Sequence, residues 1–336
     1  MPDRQTIPTI DLSKFTSGTD ADSRALAAEV DRACQNIGFL VIEGHGVPDS
    51  VIQNISRCGR QFFDFPAEVK NRYQEADDIY FGYKGMKTSA LAASLDDQDA
   101  KPDLREQFGS GRPDFENLTD DYFRNGLGKE FTYPVRWPEE VADFAKAWKD
   151  YYDEMARLGE KIMRVFAVAL GMPVDYFDSK LDKHVSNLGV YNYPEQTEVP
   201  EEGQLRGGAH TDFGSLTIVH ADWSAPGGLQ VFTKKGEWMN VPAKPGTFAI
   251  NIGDMMARWT NDKWVSTLHR VANPTNETAG SSRRQSIIFF HMPNYDAIVE
   301  CIPSCVDSEN PAKYPPISVG DHHLMKMGKM FDVKAS

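Results

Sequence analysis

The segment His210-Thr211-Asp212 decides how the rest of this chain is interpreted. Side chains alternate between the two faces of a β-strand, so a histidine and a carboxylate two residues apart point to the same side. A second histidine, His269, lies further along in the β-rich segment Ser266-Thr267-Leu268-His269-Arg270-Val271. We therefore predict that His210, Asp212 and His269 converge on one metal ion.

The donor set indicates which metal is expected. Two imidazoles and one carboxylate on one side of an ion leave the opposite positions open, an arrangement that suits oxygen chemistry on Fe(II) better than a structural zinc site. The alternative is that His210 and Asp212 lie in a solvated surface turn before Phe213-Gly214-Ser215. The apolar strand Leu216-Thr217-Ile218-Val219 follows at once, which favours the metal site.

Two other histidines compete with His269 for the third ligand position. His220 belongs to what looks like one continuous strand over 205–220, too far along it from His210 to reach the same ion. His291 follows Arg284-Gln285-Ser286, at the far end of an apolar run. His269 therefore remains the predicted ligand, while His45, between two glycines that mark a turn, is interpreted as structural.

The segment Arg284-Gln285-Ser286 predicts a binding site for an anion. Arg284 and Ser286 share a strand face at the head of the run Ile287-Ile288-Phe289-Phe290. A guanidinium fork beside a hydroxyl is suited to two-pronged binding of a carboxylate. Alternation allows only one of Arg283 and Arg284 to face inwards, and placing Ser286 inwards selects Arg284.

At this point the chain resembles the isopenicillin N synthase-like branch of the Fe(II)/2-oxoglutarate-dependent oxygenases. The order H-x-D, distant H, R-x-S is typical of that family, and further similar segments lie at Ile7–Leu12, Gly38–Pro48, Asn192–Pro194, Gly227–Val231 and Asn251–Asp254. The resemblance runs from about residue 5 to about residue 315. It implies a double-stranded β-helix, bound Fe(II), 2-oxoglutarate as co-substrate and O2 as oxidant, with release of succinate and CO2.

The resemblance also implies roles for side chains around the metal. Arg284 and Ser286 would hold the far carboxylate of 2-oxoglutarate, and Tyr193, before Pro194, matches a tyrosine that reaches the same group; the alternative for Tyr193 is a packed core aromatic. Gly189 stands where many members carry an arginine, and Tyr191 where plant members commonly carry asparagine. Both departures weaken any transfer of substrate from a relative.

The substrate pocket is predicted between Phe213, Phe290 and Tyr191. Phe290 has an even offset from Arg284 and so shares its strand face, whereas Phe213 reaches the pocket only if the chain bulges at Gly214. Tyr83 and Phe108, in the poorly periodic region 75–135, are further pocket candidates with solvated surface as the alternative. Both Phe213 and Phe290 are also compatible with ordinary core packing.

The pattern of elements predicts a mainly β protein with flanking helices. Helical spacing of apolar residues indicates helices at 21–36, 48–64 and 138–170, and β patterns indicate strands at 184–193, 205–220, 228–233, 237–242, 246–252, 255–259, 264–272 and 284–292. Eight short strands favour a jelly roll. We expect one oxygenase domain over 1–336, with an N-terminal region at 1–120 and a catalytic jelly-roll core at 180–305. Asn251 and Asp254 are interpreted as a structural turn.

Composition and charge restrict the function classes. The net charge of −13 disfavours non-specific binding to nucleic acid or anionic membrane, and the four cysteines lack metal-site spacing, so free thiols in the cytoplasm are expected. Cys301 and Cys305 would pair only in an oxidising compartment. We predict a soluble enzyme that oxidises a small metabolite by hydroxylation or desaturation, in an assembly of unknown size. The alternatives are an isopenicillin N synthase-type oxidase that needs no 2-oxoglutarate and a non-catalytic jelly-roll binding protein.

A small organic molecule is the partner that the apolar pocket predicts. The segment from Ala257-Arg258-Trp259 to Arg270-Val271 is similar to fungal thymine hydroxylases, which leaves a pyrimidine as one option among several.

Overall fold

A computed structural model of the protein describes residues 6–76, 79–95, 99–114, 120–125, 128–222, 228–274 and 282–332. Gly227, quoted above among the motif residues, lies outside these ranges. Two β-sheets face each other and form the jelly roll, with helices packed outside the larger one.

The strands are numbered along the chain. In spatial order the major sheet contains β1 (Thr9–Asp11), β2 (Phe39–Glu43), β10 (Phe248–Ile252), β7 (Leu216–Ala221), β12 (Arg284–His291), β5 (Asn187–Tyr193), β4 (Glu106–Ser110) and β3 (Gly82–Lys84). The minor sheet contains β6 (Gly207–His210), β11 (His269–Val271), β8 (Leu229–Phe232) and β9 (Trp238–Asn240). A small separate hairpin pairs β13 (Ile298–Val299) with β14 (Ile317–Ser318).

The helices follow apolar stripes of the expected period. They are α1 (Ala21–Asn36), α2 (Asp49–Phe63), α3 (Ala67–Lys70), α4 (Asp121–Arg124), α5 (Gly128–Phe131), α6 (Phe144–Ala169), α7 (Asp254–Trp259) and α8 (Val319–Asp332). Helix α6 buries Trp148, Tyr151 and Met155 and packs against α1 and α2. Burial of this stripe against the major sheet fixes the helical layer, as its 3.6-residue spacing predicts. No described helix is long and apolar enough to cross a membrane.

Two predicted strands are wrong, and both errors lie beside the metal-ligand motif. The segment 205–220 is two strands, β6 and β7, in different sheets, because the chain turns at 211–215 and Ser215 donates its backbone N–H to the His291 carbonyl (3.1 Å). A side chain at Gly214 would lie 2.5 Å from that carbonyl, so the turn requires glycine. The segment 255–259 is helix α7, whose first backbone N–H, that of Asp254, binds the carbonyl of Asp212 at 2.7 Å.

The region 75–135 contains more regular structure than its periodicity predicts. Strand β4 pairs with β5, and β3 pairs with β4, so the region extends the major sheet. The prediction that Tyr83 and Phe108 line the pocket is wrong. Tyr83 donates to the buried Glu106 carboxylate (2.6 Å), and Phe108 packs in the aromatic core against Phe62 and Trp148. Neither side chain lines the cavity between the sheets.

Candidate active site

The three predicted metal ligands meet at one end of the minor sheet. His210 ends β6, and His269 begins β11 directly opposite it, so strand pairing brings the imidazoles together. Asp212 is two residues beyond β6, in the turn rather than on the strand as predicted. Its Oδ1 lies 3.7 Å from His210 Nε2, and its Oδ2 lies 3.7 Å from His269 Nε2. The three donor atoms all lie within 4.8 Å of one another, a spacing that a single metal ion can bridge.

Hydrogen bonds at Nδ1 leave Nε2 of both imidazoles to coordinate a metal. His210 Nδ1 lies 2.9 Å from the carbonyl of Gly208, and His269 Nδ1 lies 3.0 Å from the carbonyl of Thr267. A carbonyl accepts only, so each Nδ1 carries the proton in the neutral ring and each Nε2 presents a lone pair towards Asp212. Metal-binding histidines are commonly oriented by such outer partners. The donor set therefore fits a divalent ion.

The Asp212 carboxylate is held by two neutral donors on the major sheet. Thr217 Oγ1 donates to Asp212 Oδ2 at 2.5 Å, and Asn251 Nδ2 donates to the same oxygen at 2.7 Å. The interpretation of Asn251 as a turn residue is therefore wrong, because it lies within strand β10 and its side chain orients Asp212. Asp254 also contacts the motif, since its carboxylate accepts from Thr211 Oγ1 at 3.1 Å.

The charge states of the site also suit a metal. Burial is the main reason why the pKa of His210 falls to about 3, and the nearby His269 adds to the effect, so the ring is neutral at physiological pH. Burial alone would raise the pKa of Asp212, but the neighbouring imidazoles and the hydrogen bonds from Thr217 and Asn251 hold it below its usual value. The site thus places an anionic carboxylate beside the neutral His210 imidazole, with the His269 ring on its other side.

Arg284 and Ser286 lie on the cavity face of β12, as predicted. Arg284 is directly paired with Tyr193 across β5, and its guanidinium lies 5.4 Å from the centre of the Tyr193 ring. Its Nη2 donates to Ser286 Oγ at 3.3 Å. Arg283 points the other way, where its Nη1 binds the exposed Asp64 at 2.6 Å. A Cβ at Gly228 would overlap Arg284 Nη1, so glycine at this position leaves room for the guanidinium in its observed place.

A second buried guanidinium adds positive charge beside Arg284. Arg206 is 2% exposed and donates to the carbonyl of Pro194 at 3.0 Å. Burial, together with the charge of Arg284, lowers the pKa of Arg206 to about 10. Two like charges at close range stabilise a bound anion, so this end of the cavity is suited to a carboxylate.

One cavity of about 450 Å³ between the sheets is lined by all three predicted groups of site residues. Its walls include the candidate ligands, the anion-binding group and the predicted substrate side chains, namely His210, Asp212, His269, Tyr193, Arg284, Ser286, Tyr191, Phe213 and Phe290. Ile288 and Phe290 line it because they alternate with the core residues Ile287 and Phe289. Phe213 enters from the turn that follows Asp212. The structure thus brings these nine residues together in one space.

The remaining histidines considered above lie elsewhere. His291 is buried with its Nδ1 2.7 Å from Ser215 Oγ, and His220 packs against Phe248. His45 contacts the carbonyl of Gly246 at 3.2 Å, which confirms its structural interpretation. The four cysteines are all free.

Several cavity residues were not found from the sequence. Asn251 and Thr217 bind Asp212, Arg105 lies on the cavity wall, and helix α8 contributes His323, Leu324 and Met327 to the lining. Asn251 had a signal, since it lies in one of the family-like segments. Arg105 and α8 had none, because only the packing of distant segments brings them to the cavity.

Comparison with known proteins identifies the family. Residues 7–140 match the model described as non-haem dioxygenase in morphine synthesis N-terminal, and residues 185–293 match the 2OG-Fe(II) oxygenase superfamily. The homoarginine-6-hydroxylase 2-ODD-233 of Oryza sativa subsp. japonica is 31% identical, with 97% of each chain covered. The 2-oxoglutarate-Fe(II) type oxidoreductase hxnY of Emericella nidulans is also 31% identical, over 94% of this chain and 87% of the relative.

Solved structures agree with these relatives. A full-length Neurospora crassa protein in complex with alpha-KG and thymine superposes with a TM-score of 0.79 at 28% identity, over 98% of this chain and 96% of that one. A putative 2OG-Fe(II) oxygenase family protein from Caulobacter crescentus gives a TM-score of 0.82 at 25% identity, over 97% and 99% of the two chains. With the convergent His-x-Asp…His set, these matches show that the chain belongs to the non-haem Fe(II)/2-oxoglutarate-dependent oxygenases and has their double-stranded β-helix fold.

Proposed function

We propose that His210, Asp212 and His269 hold the Fe(II) ion of this oxygenase. The observation that supports the assignment is the convergence of their three donor atoms, with both Nε2 lone pairs directed to the same space. The described residues offer this one group of three or more histidine, cysteine or carboxylate side chains with the spacing of a metal site.

Arg284 is proposed to bind the far carboxylate of 2-oxoglutarate, with Ser286 and Tyr193 beside it. Arg284 is 3% exposed, so a carboxylate would meet its fork with little competition from water. Arg206 strengthens the positive potential there. When bound, Fe(II) and 2-oxoglutarate supply the oxidation, in which O2 is consumed and succinate and CO2 are released.

The other walls of the cavity are proposed to hold the prime substrate. Phe213, Phe290 and Tyr191 line the cavity close to the candidate ligands. They would exclude water and keep one C–H bond of a compact organic molecule near the metal, so that hydroxylation or desaturation occurs at one position. A small-molecule partner agrees with relatives that include a homoarginine-6-hydroxylase and a protein crystallised with thymine. These relatives differ in the small molecule that they are named for or bound to, so the proposal extends to the class of small organic molecules.

We also propose that the whole chain forms one oxygenase domain. Strands from the N-terminal region 1–120 pair with strands of the core 180–305, since β2 pairs with β10 and β4 pairs with β5. A core without this region would expose both edges of its major sheet.

The proposal is tested by measuring O2 consumption and succinate release together. The purified protein with Fe(II) should release succinate from 2-oxoglutarate, and a screen of small metabolites should reveal compounds that accelerate the release. The His269→Ala variant should fold but release none, because one ligand is lost. Oxygen consumption by the wild type without succinate would instead indicate an oxidase that takes all electrons from its substrate. Undiminished succinate release by His269→Ala would contradict the ligand assignment.

A further inference from the structure

Arg105 places a further guanidinium in the cavity wall, on a segment far in sequence from the proposed co-substrate residues. It directly precedes β4, is 7% exposed and lines the cavity. Its guanidinium carbon lies 4.6 Å from the centre of the Tyr191 ring. A cation stacked on an aromatic face is fixed in orientation and is not free to turn to bulk water.

The hydrogen-bonding capacity of Arg105 is not used up by the residues that the structure describes. Its Nε is buried and has no hydrogen-bond partner among them. The nearest carboxylate oxygen, Asp103 Oδ2, lies 3.6 Å from Nη2, too far for a normal hydrogen bond. Asp103 is already bound by the backbone N–H groups of Gly208 (2.8 Å) and Leu91 (3.2 Å). Arg105 lines the cavity, so its guanidinium can donate to an acceptor that binds there.

The Tyr191 ring, on which this guanidinium stacks, is itself held in place by packing. A Cβ at Gly189 would lie 2.7 Å from the Tyr191 ring, so the ring lies against bare backbone of β5. The Tyr191 hydroxyl is 3.2 Å from that of Tyr80, and both side chains line the cavity. The same wall therefore offers a guanidinium and two hydroxyl groups. This combination is suited to a carboxylate, which accepts several hydrogen bonds.

The charge around the cavity favours an anionic ligand. Asp212 is the one carboxylate among the described lining residues, and the proposed function assigns it to the metal. Arg284 is assigned to 2-oxoglutarate in the same way. Arg105, which forms an ion pair with the buried Asp103 at 3.6 Å, is thus a cation of the wall that the proposed function assigns to neither ligand. Phe213 and Phe290 line the same cavity.

We propose that the prime substrate is a compact organic acid whose carboxylate binds Arg105 while its apolar body lies against Phe213 and Phe290. This inference rests on the proposed function, because it assumes that Arg284 is occupied by 2-oxoglutarate. Arg105 then fixes which carbon of the acid lies near the metal. The cavity of about 450 Å³ limits the acid to the size of a small metabolite.

The test compares a charged probe with its neutral analogue. The probes are 3-phenylpropanoate and 3-phenylpropanamide, titrated calorimetrically under anaerobic conditions into protein saturated with Fe(II) and 2-oxoglutarate. In the wild type the acid should bind about tenfold or more tightly than the amide, the effect of one charge-assisted hydrogen bond. Arg105→Met should remove this preference. Arg112→Met is the matched control, since Arg112 also lies over an aromatic ring and beside an aspartate, Asp114, but outside the cavity, and it should keep the preference.

The outcomes separate this inference from the proposed function. Equal affinity of the wild type for the two probes, or an undiminished preference in Arg105→Met, overturns the role of Arg105 while 2-oxoglutarate binding stands. Failure of the Fe(II)-loaded wild type to bind 2-oxoglutarate overturns the proposed function itself. If Arg105→Met fails to fold, the comparison of the two probes in the wild type decides.

Discussion

At the scale of single residues, the site depends on groups that orient Asp212 as much as on the ligands. Thr217 and Asn251 both donate to Asp212 Oδ2, which leaves Oδ1 directed to His210 Nε2. Asn251→Ala removes one donor and lets the carboxylate rotate. We expect about a 10- to 100-fold loss of Fe(II) affinity, the usual effect of removing an outer partner of a ligand. Metal titration checks this, with Asn240→Ala, on the edge strand β9, as the control. Unchanged affinity in Asn251→Ala would show that Thr217 alone orients Asp212.

A second residue-scale prediction concerns the two adjacent arginines. Arg284→Lys should weaken 2-oxoglutarate binding, because an ammonium group cannot reproduce the planar two-donor fork. Loss of one charge-assisted hydrogen bond costs about 1.5–3 kcal/mol, or roughly one to two decades in affinity.

The neighbouring residue supplies the control. Arg283→Lys should leave the dissociation constant unchanged, since Arg283 binds Asp64 on the opposite side of the strand. Equal affinity of wild type and Arg284→Lys in an anaerobic calorimetric titration would exclude Arg284 as the carboxylate-binding group.

At the scale of elements, alternate side chains of strand β12 face the cavity and the core, so they should affect catalysis and stability separately. Phe290 faces the cavity and Phe289 is fully buried in the core. Phe290→Ala should uncouple the reaction, so that succinate still forms while product per succinate falls, because the substrate loses its position near the metal. Phe289→Ala should instead lower the free energy of unfolding by about 3–5 kcal/mol and leave coupling unchanged.

Product and succinate measured in the same reaction, together with denaturant unfolding, check both variants. Normal coupling and substrate affinity in Phe290→Ala would make that ring ordinary core.

The elements also show how far the sequence was informative. Period-2 and period-3.6 patterns located α1, α2, α6 and most core strands, and alternation along β12 correctly separated Arg284 from Arg283. The predicted single strand at 205–220 failed because a turn at Gly214, fitted against the His291 carbonyl, sends β6 and β7 to different sheets. The short apolar run in α7 has no periodicity that distinguishes a helix from a strand.

Residues without a local pattern could not be placed in this way. Arg105 reaches the cavity because β4 pairs with β5, a contact between segments far apart in sequence. Helix α8 likewise reaches the cavity only through packing against segments far away in sequence.

At the scale of the whole molecule, α8 contributes side chains to the wall of the cavity that the two sheets form. His323, Leu324 and Met327 line this cavity, and Lys326 Nζ binds the Asp254 carboxylate at 2.6 Å, which ties α8 to the first residue of α7. A chain ending at His322 keeps the buried Val319 and His322 but loses these lining residues.

This truncated chain should bind Fe(II) and 2-oxoglutarate normally, because their proposed residues precede it. It should release more succinate per product, since water reaches the site. The product-to-succinate ratio measures this effect. A ratio equal to that of the full chain would show that α8 does not shield the reaction.

The most direct measurement of the central claim is an anaerobic titration of 2-oxoglutarate into Fe(II)-loaded protein, followed by visible absorption. Chelation of iron by the keto acid gives a metal-to-ligand charge-transfer band, so the wild type should develop this band and reach saturation at one 2-oxoglutarate per chain. Arg284→Lys should reach the same intensity only at a higher concentration, and His269→Ala should give no band while keeping its thermal unfolding midpoint. A band of wild-type intensity in His269→Ala, or none in the Fe(II)-loaded wild type, would contradict the proposed iron and 2-oxoglutarate site.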